Sequence, residues 1–130
     1  MFTDKIKTKL TDTTFEQRSL LFAELSAIAY EDLPSVKKKA AKLGFTTVEF
    51  YEKAGAQAYR FMNKNDLIIA CRGTEPTAFN DIAADLKAIP VIAETISRVH
   101  QGFKDEVDVL WPMIAEDIAR PVNMKKTLWF

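Results

Sequence analysis

The stretch that most constrains the fold is the unbroken apolar run Leu67–Cys71, which is followed by Arg72, Gly73 and Thr74. A short apolar run that ends at turn-forming residues predicts a strand buried on both faces. Such strands occupy the middle of sheets that are covered by helices. In open α/β sheets, sites collect just beyond the carboxyl ends of these strands. The residues after Cys71 are therefore predicted to form the edge of a functional site.

Helical and strand patterns precede this run. Thr13 is followed three positions later by Glu16, which is the pattern of a capping box at a helix start. Gly44 follows the next helical stretch, as glycine commonly does at a helix end. Alternating and β-branched residues then predict two strands, and the turn residues after each strand predict two hairpins that lead into the apolar run. The predicted elements are a helix from Thr13 to about Tyr30, a helix from Leu33 to Lys42, and strands over Thr46–Tyr51 and Gln57–Met62.

Beyond Thr74 the pattern becomes helical. Ile82 and Leu86 predict a short helix that ends near Leu86. Residues 87–97, centred on Pro90, predict a mobile or covering segment. A long helix follows, and Pro112 within it predicts a kink or a helix boundary. The predicted apolar stripe of this helix consists of Phe103, Val107, Leu110, Trp111, Ile114 and Ile118.

Composition and charge exclude several classes of protein. Lys plus Arg and Asp plus Glu each number 18, so no net charge attracts nucleic acid or an anionic membrane. The single cysteine, Cys71, cannot form an internal disulfide. No stretch approaches the roughly 18 apolar residues of a membrane span, and the first residues do not resemble a signal peptide. A cytoplasmic location is the default prediction, and a non-standard secretion route would leave no trace in these features.

The order of elements predicts an α/β fold in which helices cover a central mixed sheet. Residues 1–12 predict a loose lead-in, so the domain is expected to span residues 13–130. Lys125–Phe130 has the pattern of another buried strand. Nothing follows Phe130 to turn or cover that strand, which predicts a fragment with an incomplete sheet.

Four short motifs stand out by their order and spacing. They are Ala29-Tyr30, the buried strand running into Arg72-Gly73-Thr74, Asn80 with Asp85-Leu86, and Val99-His100-Gln101-Gly102-Phe103. Together they resemble the N-terminal half of a class 3 lipase, the fungal-lipase-type branch of the α/β-hydrolases. The last motif is similar to the family's V-H-x-G-F and is the most specific. The resemblance covers roughly residues 20–130 and implies an α/β-hydrolase fold.

The resemblance also implies what these 130 residues lack. In this family, a strand like Lys126–Phe130 leads directly into the nucleophile elbow, G-x-S-x-G. The glycines of the chain are Gly44, Gly55, Gly73 and Gly102, and no two of them are four positions apart. The family's catalytic acid and histidine come after the serine. All three members of the Ser-Asp-His triad are therefore expected to be absent.

The resemblance assigns part of an oxyanion hole to the chain. The backbone amide of Thr74 would donate to the oxyanion of the tetrahedral intermediate, and Gly73 would allow the tight turn there. Asp85 would accept a hydrogen bond from the Thr74 hydroxyl and orient it. Without the resemblance, Thr74 simply ends a strand and Asp85 caps or decorates a helix. The residues with a structural role in the motifs would be Arg72, Val99, His100, Gly102 and Phe103.

Other reactive residues are weak candidates. His100 lies where the family's histidine is structural, so it is not expected to act as a general base. Cys71 has no base beside it in the sequence and is not expected to act as a nucleophile. One Cys and one His do not make a zinc site, and Asp81 with Asp85 is a weak pair of hard ligands. Neither a metal nor a cofactor is expected.

The segment from Pro76 to Ile96 matches the position of the lid in family members. Its apolar residues would contact a lipid or an acyl chain when the lid opens. A crossover helix packed on the sheet explains the same apolar content, and the sequence favours neither alternative. The residues concerned are Ile82, Leu86, Ile89 and Ile92.

Two functions are therefore expected. In the first, the parent protein is a serine esterase that cleaves lipid or other carboxylic esters, and this N-terminal portion is inactive alone. In the alternative, the chain is a complete, non-catalytic binding or regulatory domain whose last strand pairs with a partner or a second copy. Neither function involves nucleic acid or a transmembrane segment.

Overall fold

The computed structural model describes residues 3–72, 90–92 and 98–130. Helices pack on a four-stranded mixed sheet, which confirms the predicted α/β class. The helices are α1 (Phe15–Ile28), α2 (Leu33–Leu43), α3 (Gln101–Ile118) and α4 (Pro121–Met124). The strands are β1 (Thr47–Lys53), β2 (Ala56–Met62), β3 (Asp66–Arg72), β4 (Pro90–Ile92), β5 (Arg98–His100) and β6 (Thr127–Trp129).

The sheet has the strand order β1-β2-β3-β6. Two antiparallel hairpins join β1, β2 and β3, as the sequence predicted, and β6 runs parallel to β3. The second hairpin turns at Asn63, whose side-chain oxygen accepts hydrogen bonds from the backbone amides of Asn65 and Asp66, both at 2.8 Å. This Asx-type turn sets the chain direction into β3. Strands β4 and β5 form a separate antiparallel pair.

One face of the sheet packs against α1 and α2 through a large apolar core. Alternate residues of the strands, such as Phe61 and Ile68, meet helix residues such as Leu25 and Leu43, and all four are buried. Trp129 of β6 packs at the edge of this cluster, 5.7 Å from the ring of Phe22. We call this side of the sheet the α1/α2 face.

The opposite face packs against α3. Its apolar cluster is smaller and includes Leu67 and Ile69 of β3 with Leu110 and Ile114 of α3. We call this side the α3 face. Because Ile68 points to the α1/α2 face, β3 is buried on both sides from Leu67 to Ile69, as predicted. The prediction is wrong for Cys71, which is exposed near the end of the strand.

Side chains cap both N-terminal helices. The capping box of α1 begins at Thr14 and uses Gln17 as its partner, so the predicted start at Thr13 is wrong by one residue. The hydroxyl of Thr13 instead donates to the carbonyl of Leu10 at 2.6 Å. At the other end of α2, Gly44 adopts φ 102° and ends the helix, as its position predicted.

The N-terminal segment packs on the domain, so the prediction of a loose lead-in is wrong for residues 3–12. Leu10 is fully buried in the core of the α1/α2 face and begins a short 3-10 helix, Leu10–Asp12. The amide of Ile6 donates to the carbonyl of Leu43 at 2.9 Å. Burial of Leu10 and backbone hydrogen bonds together anchor this otherwise polar stretch.

Helix α3 runs through Pro112, so of the two predicted alternatives the helix boundary is wrong and the kink stays a prediction. Its apolar stripe is only partly buried: Leu110 and Ile114 lie in the core, whereas Val107 and Trp111 are exposed. The strand predicted at the end of the chain is present as β6, but its residues are exposed or half-buried. Among the described strands, β6 lies at the outside of the sheet, and an outer strand has fewer neighbours to cover it.

Candidate functional site

The predicted site edge lies where β3 ends at Arg72. β3 and β6 are parallel neighbours, with Leu67 beside Leu128 and Ile68 beside Trp129. The carboxyl ends of both strands therefore face the same edge of the sheet. The predicted oxyanion residues Gly73, Thr74 and Asp85 lie outside the described residues. So do Asn80, Asp81, Ile82, Leu86 and Ile89.

The structure brings together two of the motifs singled out in the sequence. The guanidinium carbon of Arg72 lies over the ring of Tyr30, 5.9 Å from its centroid. Tyr30 follows α1, so this cation–π contact joins the end of β3 to the end of the first helix. Beside it, the Tyr59 hydroxyl donates to the carbonyl of Glu31 at 2.9 Å. Burial raises the pKa of Tyr59, and the charge of Arg72 opposes that change.

The V-H-x-G-F-like motif spans a strand-to-helix junction. Val99 and His100 are the last residues of β5, and Gln101 begins α3, which includes Gly102 and Phe103. In the small β4–β5 sheet, Pro90 pairs with His100 and Ile92 with Arg98. The predicted covering segment therefore includes a strand at Pro90–Ile92. The structural role predicted for His100 and the lid role predicted for Ile92 stay predictions.

The thiol of Cys71 is poorly suited to act as a nucleophile. Although the residue is exposed, partial desolvation of its sulfur raises its pKa, and the negative charge of Glu106 adds to this. A raised pKa keeps the thiol protonated at neutral pH, and the protonated form is the unreactive one. The same conclusion was expected from the lack of a neighbouring base, but the buried position assumed for Cys71 was wrong.

A buried charged cluster on the α3 face was not predicted. Arg60 of β2 forms an ion pair with Asp117 of α3, and both side chains are 7% exposed. The same oxygen of Asp117 accepts a hydrogen bond from the Tyr51 hydroxyl, and the Asn123 amide donates to the Asp117 backbone carbonyl at 2.8 Å. Arg120 approaches the other carboxylate oxygen at 3.5 Å. We call these five residues the Asp117 cluster.

The Asp117 cluster borders a cavity of about 320 Å³. Burial, followed by the hydrogen bond to Asp117, strongly raises the pKa of Tyr51, so its hydroxyl stays protonated and can donate. The Nε of Arg60 and the Oδ1 of Asn123 are buried and have no protein partner. The carboxylate of Asp117 is paired with Arg60, Tyr51 and Arg120, so the cluster is suited to fixing α3 on the sheet.

A signal for this cluster was present in the sequence. Arg60 lies in an alternating strand on the same side as Ala58, at a position where the pattern calls for an apolar residue. Asp117 lies three residues after Ile114, on the buried side of α3. Opposite charges at buried positions of two elements indicate a pair, since burial of either charge alone is costly.

A second buried carboxylate lies at the start of β3. Asp66 is fully buried and accepts hydrogen bonds from the Leu10 amide at 3.2 Å and from the Trp129 indole at 3.0 Å. It therefore ties the N-terminal segment and β6 to the amino end of β3. This lies at the opposite end of the strand from Arg72, so Asp66 supports the fold and is remote from the predicted site edge.

Neither a metal site nor a membrane span is found in the part of the chain that the structure describes. No group of three or more His, Cys, Asp or Glu residues there could hold a metal ion. No helix in that part is both long enough and apolar enough to cross a bilayer.

Comparisons with protein-family models, with curated proteins and with solved structures found no match to this chain.

Proposed function

We propose that the chain is the N-terminal portion of a class 3 lipase-like serine esterase, which cleaves lipid or other carboxylic esters through an acyl-enzyme. In this proposal the Thr74 amide donates one hydrogen bond to the oxyanion, and Gly73 allows the backbone to turn toward it. Asp85 holds the Thr74 hydroxyl. The order of the four sequence motifs supports the family, and the contact between Tyr30 and Arg72 is consistent with it.

The observation that carries the proposal is the parallel pairing of β3 with β6. Adjacent strands of a sheet lie about 4.8 Å apart, and parallel strands release their following residues at the same edge. A serine placed after β6 and an amide placed after β3 would therefore approach the same substrate carbonyl. Helix α3 lies between these strands in the chain, as a parallel crossover requires.

The first test is enzymatic. Because the 130 residues contain no G-x-S-x-G, we expect the chain alone to show no hydrolysis of nitrophenyl butyrate above buffer. We also expect no labelling by a fluorophosphonate probe, with an active serine esterase as the positive control. Turnover or labelling would contradict the assignment of the serine to a later segment.

The second test addresses the family itself through the DNA that follows codon 130. A G-x-S-x-G within the first few codons, in frame or restored by a single frameshift, supports the lipase-like parent protein. A different continuation or an immediate stop codon contradicts it.

The alternative, a non-catalytic binding domain, is supported by a different observation. Among the described residues β6 pairs with β3 alone, and Phe130 beside it is 71% exposed. An outer strand with exposed apolar residues favours association with another strand. An immediate stop codon after residue 130 would favour this alternative.

A further inference from the structure

An exposed apolar surface lies beside β6 on the α3 face. Val107 and Trp111 are one helical turn apart on α3 and are 45% and 47% exposed. Leu128 lies beside Leu67 in register, so it points to the α3 face, and it is 37% exposed. The rings of Trp111 and Phe130 are 6.5 Å apart, which makes the surface continuous from helix to strand. We call Val107, Trp111, Leu128 and Phe130 the β6 surface.

The backbone of β6 sets what can bind there. Among residues 3–72, 90–92 and 98–130, β6 has β3 as its neighbour on one side and no strand on the other. The free side presents backbone amides and carbonyls in the spacing of a β-ladder. An extended strand that carries its own apolar residues satisfies both the backbone groups and the β6 surface.

Charges at the two ends of the β6 surface have opposite sign. Near the start of β6, Lys125 is exposed, whereas the carboxylate of Asp66, which lies beside Thr127, is fully buried. Trp111 contacts Phe130 at the end of β6, and Glu106 acts electrostatically on Cys71 near the end of the parallel strand β3. The N-terminal half of α3 therefore lies toward the end of β6. That half contains one basic residue, Lys104, and three acidic residues. One of the acidic residues is Asp108, whose side chain is 52% exposed. The surface is therefore basic at one end and acidic at the other.

We propose that the β6 surface binds a second copy of this chain through antiparallel pairing of the two β6 strands about a two-fold axis. Antiparallel pairing places the basic start of each β6 beside the acidic end of the other, so the charge contact forms twice. It also buries Leu128 and Phe130 against the same surface of the partner and joins two four-stranded sheets into one. A parallel arrangement would bring Lys125 of both copies together, and like charges oppose pairing. This inference rests on the alternative binding function and names a second copy as its partner, whereas the esterase proposal is tested separately.

Sedimentation velocity over a range of concentrations tests the dimer with the 130-residue chain. We expect a concentration-dependent monomer–dimer equilibrium that weakens as salt is added. Lys125→Glu should raise the dissociation constant at least about fivefold, because each of two symmetric contacts becomes repulsive. Asp108→Lys should have a similar effect, and the double variant should recover most of the affinity. Lys38→Glu, the same charge change at an exposed position of α2, serves as the control and should leave the affinity unchanged.

Two results would overturn the proposal. One is a monomer at every concentration up to about 1 mM, which would place the dissociation constant far outside the range of a specific interface. The other is a dimer that is insensitive both to the charge variants and to Phe130→Ser, which would place the interface elsewhere. Circular dichroism of each variant shows whether a loss of association reflects the interface or unfolding. The DNA and esterase tests are unaffected by either result.

Discussion

The two faces of the sheet are stabilised in different ways. The α1/α2 face buries a large apolar cluster that draws on both helices and on all four strands of the main sheet. The α3 face has a smaller apolar cluster and, beside it, the buried Arg60–Asp117 pair with Tyr51. Apolar packing tolerates small adjustments, whereas a buried ion pair depends on both partners being present. The position of α3 therefore depends on a few polar contacts more than that of α1 or α2.

The largest effect is expected from Asp117→Ala. This change leaves the Arg60 charge and the Tyr51 hydroxyl buried without their acceptor, which typically costs about 3–5 kcal/mol. Urea denaturation followed by circular dichroism measures the change in the free energy of unfolding. The exposed Asp105→Ala on the same helix should change it by less than about 0.5 kcal/mol.

Replacing both charges sharpens this prediction. Arg60→Met combined with Asp117→Leu removes the pair without leaving a lone charge, so most of the lost stability should return. If the double variant is as unstable as Asp117→Ala, the loss comes from packing, and the comparison of the two faces fails.

On the α1/α2 face we expect a cavity effect. Leu21 is fully buried in α1, and Leu21→Ala should lower the free energy of unfolding by about 3 kcal/mol. Its neighbour Leu20 is 42% exposed, so Leu20→Ala should cost less than about 0.5 kcal/mol. Equal effects at both positions would show that α1 does not pack with the face described here. The same urea titration provides the measurement.

A smaller effect is expected at the end of α2. Gly44 has φ +102°, and a Cβ there would meet the backbone oxygen of Ile6 at 2.6 Å. Gly44→Ala therefore combines left-handed strain with a clash against the packed N-terminal segment, at a cost of about 2–3 kcal/mol. Gly55 has φ +84° with no atom within 4 Å, so Gly55→Ala isolates the strain and should cost about 1 kcal/mol. Similar thermal stabilities of the two variants would contradict the close contact with Ile6.

The smallest effect concerns alkaline pH. The pKa of Tyr51 is raised above its usual value of 10.0, so the folded state keeps a proton that the unfolded state releases. The stability from this group is complete below that pH and decreases as pH rises above it, by at most about 1.4 kcal/mol per pH unit. Tyr51→Phe should reduce the slope without abolishing it, because the pKa of Tyr59 is also raised. An unchanged slope in this variant would contradict the role assigned to Tyr51.

Most of the fold could be predicted from local patterns. The two N-terminal helices, the hairpins and the apolar strand Leu67–Ile69 follow from periodicity, caps and turn residues, which depend on near neighbours in the chain. Errors arose where distant residues decide the outcome. Leu10 was assigned to a loose segment because its partners, including Asp66, come much later in the sequence. Trp111 was assigned to the core because periodicity does not show how far a sheet extends.

The candidate site was predicted less completely. Tyr30 and Arg72 belong to two of the four sequence motifs, and the structure places them in contact. The Asp117 cluster was missed because Arg60 and Asp117 are far apart in the chain, and the sequence pattern does not show that these two positions face each other. Pairing between such residues is decided when α3 packs on β2.

What the sequence by itself determined is the α/β class, the order of the elements and the strand that ends at Arg72. These features depend on hydrophobic period and on backbone preferences, both of which are local. Only the tertiary structure decided that β6 lies parallel beside β3, that Asp66 joins Leu10 to Trp129, and that the α3 face is held by a buried ion pair. Those outcomes depend on desolvation and on contacts between residues distant in sequence, and no local pattern specifies them.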